Sequence, residues 1–270
     1  MKNSKNEPLA SIIITNYNKS SFLTHAVKSC IEQNYKKKEI IFFDDKSTDN
    51  SLSKIKELNK ITKQKIKIII NPNKKKNFPT LSHIEAIKKG LKKTKGKYVF
   101  LLDSDDYFHK NKIKEIIKIF NKNEKIQFVL NNPILKYKKK EIKKEFESNL
   151  TKNKWPKFPP TSCMCFEKKT LTNVLKKIYS KKFPNLAIDF YLAVYYSIIL
   201  KNFYIHKSHL TYYRQVIDGT DSNYVKFRNK KWWIRRNEAF NFLNTLLTKN
   251  KMPLNKGFDY TLTKIINLFL

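Results

Sequence analysis

YVFLLDSDDYF, residues 98–108, runs four apolar residues into three carboxylates and turns aromatic again at once. Aspartates this close repel, and burial strengthens the repulsion, so the cluster requires a counter-charge. A divalent cation is the first candidate, because an oxygen-rich site with paired aspartates suits Mg2+ or Mn2+. The acids stand out in a 270-residue chain with 57 Lys and Arg against 22 Asp and Glu, a formal net charge of +35.

Upstream the same kind of apolar run recurs. ASIIIT (10–15), EIIFFD (39–44) and KIKIII (65–70) read as strands, the first a β-branched run expected of a strand buried on both faces. Between them FLTHAVKSCIEQ, KSTDNSLSKIKEL and LSHIEAIKKGLKK read as helices, the second with Ser and Thr available for an N-cap. Strand alternating with helix predicts an α/β fold, a mainly parallel sheet flanked by helices. Open sheets of this kind bind ligands beyond the carboxyl ends of their strands. Asp44 and Asp45 end the second strand, Asp103 and Asp105 the fourth, and Asn16 and Tyr17 follow the first, so all are expected to face one crevice.

The second half is less regular. QFVLNN (127–132) and ILKYKKKEIKKEF (134–146) are expected to be strands, the latter an exposed edge. NKWPKFPPTS (153–162) reads as a loop over the sheet, and CMCFEKKTLTNVLKKI passes from strand to helix. A helix is expected near LAIDFYLAVYYSIIL, then FYIH and LTYYRQ as two short strands. From Tyr224 the pattern becomes a basic, aromatic-rich helix, which places a boundary near 220 between a main domain (1–220) and a helical tail (221–270).

Composition narrows the function classes. The chain has four glycines, none placed to form a dinucleotide or P-loop phosphate cradle after the first strand, so a metal is the better candidate for handling a diphosphate. An EF-hand needs Gly where Phe108 stands, and an aspartyl phosphatase would carry its acids at the first strand. Capping of the helix near Lys110 by Asp105 or Asp106 would explain one acid, not three. Cys30, Cys163 and Cys165 are expected to be reduced thiols. No apolar run approaches the roughly 20 residues of a membrane span, and the first residues lack a secretory core, so the expected location is cytoplasmic.

The basic charge would attract polyanions. A nucleic-acid-binding protein is the rival reading, but no helix-turn-helix, RNP or zinc pattern is present, and no specific nucleic acid is expected. Trp232 and Trp233 in FRNKKWWIRR suit peripheral contact with an anionic membrane face, or packing onto the domain. The five histidines do not cluster and are expected to pack or lie on the surface, His109 being nearest the acids.

SIIITNYNKSSFLTHAVKSCIEQNYKKKEIIFFDDKSTDNS followed by GLKKTKGKYVFLLDSDD resembles the N-terminal half of the family 2 glycosyltransferases, inverting enzymes of the GT-A fold. The likeness covers about residues 9–110, the nucleotide-sugar half, and more loosely 160–215 in the acceptor half (111–220). It implies a nucleotide-sugar donor, usually a UDP-sugar, and a glycan or lipid-linked acceptor. Thr15 and Tyr17 would line the nucleotide pocket, Asp44 and Asp45 would lie at the base, Asp103 would face the ribose, and Asp105 with Asp103 would hold Mn2+ or Mg2+. LAIDFYLAVYYSI resembles the segment with an acidic pair, which makes Asp189 the general base and puts Ile188 in the place of its partner acid. Tyr213 and Arg214 resemble a Tyr-Arg element that closes over donor or acceptor. Where many members of the family show Ala-Arg-Asn, this chain has Ala86, Ile87 and Lys88, so the resemblance implies that the diphosphate contact of the usual Arg is either lost or shifted to Lys88. Cell-envelope polysaccharide is the product class this family habit implies.

Overall fold

The computed structural model describes residues 7–72, 78–146, 157–178, 181–216, 227 and 229–270. Its first part is the expected alternation: β1 (Ala10–Asn16), α1 (Ser20–Ile31), β2 (Lys38–Asp44), α2 (Ser51–Ile61), β3 (Ile66–Ile70), α3 (Pro79–Leu91) and β4 (Tyr98–Asp103). These strands pair in the order β3-β2-β1-β4, all parallel. Every residue of β1 is buried, and its side chains divide between two cores as strand alternation requires. Ile12 and Ile14 pack with Leu23, Ala26 and Val27 of α1, whereas Ile13 packs with Ile84, Ile87 and Leu91 of α3. Proline opens α3 at a position where its missing N–H costs nothing. Gly90 lets that helix lie flush on the sheet: a Cβ there would stand 2.8 Å from Ile13 Cγ2.

The chain continues through β5 (Tyr107–Phe108), α4 (Lys112–Lys122), β6 (Phe128–Lys136), β7 (Glu141–Lys143), β8 (Met164–Glu167), α5 (Lys168–Ile178), α6 (Ile188–Val194) with a π-helical turn, β9 (Phe203–Arg214), α7 (Lys230–Lys249) and α8 (Phe258–Leu268). The sheet extends from β4 as β8-β6-β9-β5, with β7 on β6. Two boundaries differ from expectation. QFVLNN and the start of ILKYKKK form one strand through Pro133, because register slips against β9 at Asn131, Asn132 and Pro133 absorb the residue that cannot donate. The rest of the expected long strand turns at Tyr137–Lys140 and returns as the fully exposed β7. FYIH and LTYYRQ likewise merge into the single strand β9, held by continuous pairing with β6.

The boundary near 220 lies outside the described residues. Beyond it, α7 buries Ala239, Phe242, Leu243, Leu246 and Leu247 in the same core as α5 and α6, with Tyr191 edge-on to Phe242 at 4.6 Å. Among the described residues no helix is long and apolar enough to cross a membrane.

Candidate functional site

Parallel register sets the site. Thr15 lies opposite Asp103 on β4, and Asn16 opposite Asp44 on β2, so the end of β1 separates two groups of acids. On the β4 side, the Thr15 hydroxyl donates to Asp103 Oδ1 at 2.8 Å. His83, one turn into α3, brings Nε2 to 2.9 Å from the same oxygen and 3.2 Å from Thr15 Oγ1. Burial works against charge on both partners. The His83 charge and the donors on Asp103 nevertheless hold the carboxyl below its ordinary range. Burial is outweighed at His83 too, where Asp103, and beyond it Asp189 and Asp105, keep the imidazole above its usual value.

Asp105 and Asp106 carry an excess of negative charge. Burial and then Asp103 push Asp105 upward, opposed by Lys19, whose Nζ stands 3.5 Å from Asp105 Oδ2. Asp106 is fully buried; burial, Asp105 and Asp103 drive it well above the carboxylate range. Its Oδ1 accepts from the Arg214 backbone N–H at 2.8 Å, and its Oδ2 has no hydrogen-bond partner. Neither acid caps α4, whose N-cap residue is Asn111. Beneath the cluster the buried Lys112 donates to Ser162 O at 2.5 Å and to Thr211 Oγ1 at 2.8 Å, its pKa lowered mainly by burial.

Arg214 reaches this corner as a brace. Its Nη1 donates to the Asp105 carbonyl at 2.6 Å, its Nη2 lies 2.8 Å from His25 Nδ1, and the guanidinium lies over the Tyr107 ring at 4.6 Å. His25 and Tyr212 stack on opposite neighbours of that assembly, each against Tyr107. The side chain expected to close over a ligand is thus already tied to the peptide of an acid in the cluster. Tyr213 lies beside it, half-buried on β9.

On the β2 side the two aspartates part company. Asp44 is completely buried and accepts from Asn16 Nδ2 at 2.8 Å, Ser47 N at 2.8 Å and Ser47 Oγ at 2.7 Å. These bonds fold the loop after β2 and commit its carboxylate to the protein. Asp45 accepts from Asn71 Nδ2 at 2.5 Å, and Lys89 Nζ donates to Asn71 Oδ1 at 2.9 Å. Through Asn71, Lys89 of α3 is linked to this corner. Lys88 lies five residues beyond His83, about 7.5 Å further along the helix and on a different face. Tyr17, just past β1, is 37% exposed.

Asp189 sits in the first turn of α6, where its Oδ1 accepts from Phe190 N at 2.7 Å. It is close enough to His83 to raise that group's pKa, and the Thr80 hydroxyl ties the start of α3 to the Pro184 carbonyl just before α6. Ile188, in the place of the first acid of the pair, is 1% exposed and part of the core. Sequence reasoning missed His83, Lys19, Asn71 and Lys89. The signal for the first two was place in the fold: the loop after β1 and the first turn after β3 both overlook the strand ends. Looking for clustered histidines could not find a residue whose partners are Thr15 and Asp103.

Among the described residues no group of three His, Cys, Asp or Glu could hold a metal ion by itself. That donor set fits Mg2+ or Mn2+ bound in its usual manner, by one or two carboxylates completed by water and substrate phosphate. Asp105, with a side chain 18% exposed and a deficit of positive charge around it, is the carboxylate suited to the task.

The glycosyl transferase family 2 model matches residues 11–181. Over 124 residues the chain is 39% identical to "UDP-Glc:alpha-D-GlcNAc-diphosphoundecaprenol beta-1,3-glucosyltransferase WfaP" of Escherichia coli, covering 46% of this chain and 45% of that one. Over 214 residues it is 28% identical to the "GalNAc(5)-diNAcBac-PP-undecaprenol beta-1,3-glucosyltransferase" of Campylobacter jejuni, covering 76% of this chain and 64% of the other. The chain spans 15–52% of the length of other curated relatives it matches. The crystal structure of S. aureus TarS 1-349 in complex with UDP superposes with a TM-score of 0.62 at 15% identity, over 89% of this chain and 72% of that one. That likeness establishes the shared fold.

Proposed function

The chain belongs to glycosyl transferase family 2, and from that premise we propose that it moves a sugar from a UDP-sugar to a hydroxyl of a lipid-linked glycan, inverting the anomeric carbon. The observation that carries the reading is the placement of carboxylates around the end of β1, with Asp45 just past β2 on one side and Asp103 and Asp105 at the end of β4 on the other. In this reading Asp45 receives the base, Thr15 and Tyr17 line the pocket, and Asp103 faces the ribose. Asp105, with Asp103, would hold the Mn2+ or Mg2+ on the diphosphate. When bound, the cation neutralises charge that builds on the departing group. Lys19 brings a second positive charge to the same point, which compensates for an α3 that offers buried Ile87 where relatives carry arginine.

Asp189 acts as general base. It takes the proton of the acceptor hydroxyl as that oxygen forms its bond to the anomeric carbon; the bond to the diphosphate breaks on the opposite face, and its electron pair leaves with UDP. The raised imidazole of His83 between Asp103 and Asp189 supports a continuous site from donor to acceptor. The lipid-linked acceptor rests on the names of the E. coli and C. jejuni relatives, both of which specify undecaprenol carriers.

Incubation with a panel of UDP-sugars, an undecaprenyl diphosphate-linked saccharide and Mn2+ tests the proposal. Release of UDP with formation of a β-linked product, abolished by EDTA and by Asp189→Asn, is expected. If no nucleotide-sugar turns over or raises the Tm of the wild-type chain, the proposal fails. DNA binding would not discriminate, since the basic charge alone produces it.

A further inference from the structure

Helix α8 is amphipathic in the wrong direction for a surface helix. Its polar face is the one that packs on α7: Lys264 Nζ donates to Asn237 Oδ1 at 2.7 Å, Asn267 Nδ2 donates to the Trp233 carbonyl at 3.1 Å, and Asp259 pairs with Arg236. Tyr260 adds an edge contact to Phe240 at 5.4 Å. Thr263, on that face, is the helix's buried residue. The apolar face turns outward. Phe258 is 83% exposed, Ile265 49%, Leu268 81% and Phe269, one residue past the helix, 83%. With about 100° per residue, positions 258, 262, 265 and 269 fall on one stripe, with 268 at its margin. Helices of soluble domains present the opposite arrangement, and a contiguous exposed apolar stripe marks a surface that something covers.

Charge selects the occupant. Residues 229–270 contain eight Lys and Arg and two acids, one of which, Asp259, is paired with Arg236. A second copy would bring one +35 field against another, which opposes face-to-face association. An anionic lipid surface is attracted by the same charges, at about 1 kcal/mol per basic residue near the headgroups, and accepts aromatic and aliphatic side chains below them. We propose that α8 lies in the interface of an anionic bilayer, inserting Phe258, Ile265, Leu268 and Phe269 while the exposed Lys256 and the exposed lysines of α7, Lys230, Lys231 and Lys249, meet lipid headgroups. The tryptophans of α7 are not the inserting group. Both are half-buried, in contact with each other at 4.7 Å, and Arg236 lies over Trp232 at 5.0 Å. The inference does not depend on the chemistry of the crevice.

Sedimentation of the full chain with vesicles of phosphatidylcholine alone, or with one third phosphatidylglycerol, provides the test. The wild type is expected to partition onto the phosphatidylglycerol vesicles and to keep a measurable bound fraction in 0.5 M salt. The variant Phe258→Ser/Leu268→Ser/Phe269→Ser should lower the partition coefficient at least tenfold with an unchanged Tm, since these side chains support no packing. Unaltered binding by that variant would mean that charge alone holds the protein and would overturn the proposal. Absence of wild-type binding would do the same, as would a concentration-dependent dimer, measured by light scattering, that the variant abolishes.

Discussion

The acids that end β2 and those that follow β4 flank the same strand, yet they are met by different chemistry. Asp44 is surrounded by neutral donors, an asparagine amide and the N–H and hydroxyl of a serine. Asp103 and Asp105 are met by the side chains of His83 and Lys19, Asp103 also by the Thr15 hydroxyl, and the Arg214 guanidinium donates to the Asp105 carbonyl. Three donors at hydrogen-bond distance, two of them from one serine three residues on, satisfy the Asp44 carboxylate and shape its loop. A lysine at 3.5 Å leaves a carboxylate able to exchange its partner for a ligand's counter-charge. The two groups of acids therefore differ in what surrounds them: Asp44 is held by three donors of its own loop and the neighbouring strand, Asp105 by a lysine at 3.5 Å.

Substitutions on the two sides should separate cleanly. Asp105→Asn is expected to lower kcat by about a thousandfold, the scale of losing one preorganised electrostatic group, with a Tm close to wild type. Substantial activity in this variant would remove the β4 corner from the reaction. Asp44→Ala should do the converse. Loss of three hydrogen bonds, one buried and two partly buried, costs about 2–3 kcal/mol of stability, read from urea denaturation, whether or not donor is present. Asp45→Ala is the intermediate case, for which we expect about a tenfold increase in donor KM and little change in kcat, the signature of lost ground-state binding. If Asp45→Ala instead mimicked Asp44→Ala, the division between the two neighbours would be false.

The smallest effect concerns pH, measured as Tm with divalent cations chelated. The raised His83 group contributes stability that is complete below the ordinary imidazole pKa and is lost as pH rises through its folded-state value. Asp103, depressed, contributes stability complete above the ordinary carboxyl pKa and lost as pH falls through its own folded-state value. Their pair is thus strongest between the two, and His83→Gln should flatten the alkaline limb by about 1 kcal/mol or less, the scale expected of a partly exposed pair.

Much of the first four strands was legible because strands buried on both faces must be apolar throughout: β1, β2 and β4 read that way directly. The acids were legible because a carboxylate cluster at a strand end has few bland explanations. What escaped was set by tertiary contact. Two-residue β5 exists only through its pairing with β9, and β6 passes through a proline that local rules take as a break. Lys89 is bound to Asp45 through Asn71, residues far apart in sequence that meet only when α3 docks beside β2. Arg214 was recognisable as a site residue, whereas its attachment to the Asp105 carbonyl required the fold.

Gly90 carries a consequence for anyone reading variants of this chain. Two turns separate it from His83, and it touches none of the acids, but the missing side chain sets the height at which α3 rides over Ile13. An alanine there would force either the Ile13 side chain or α3 to shift, and a shift of α3 would move the imidazole relative to Thr15. Such a variant would be scored as a catalytic defect in a kinetic screen, although its origin would be a spacing error of about an ångström at the opposite end of a lever.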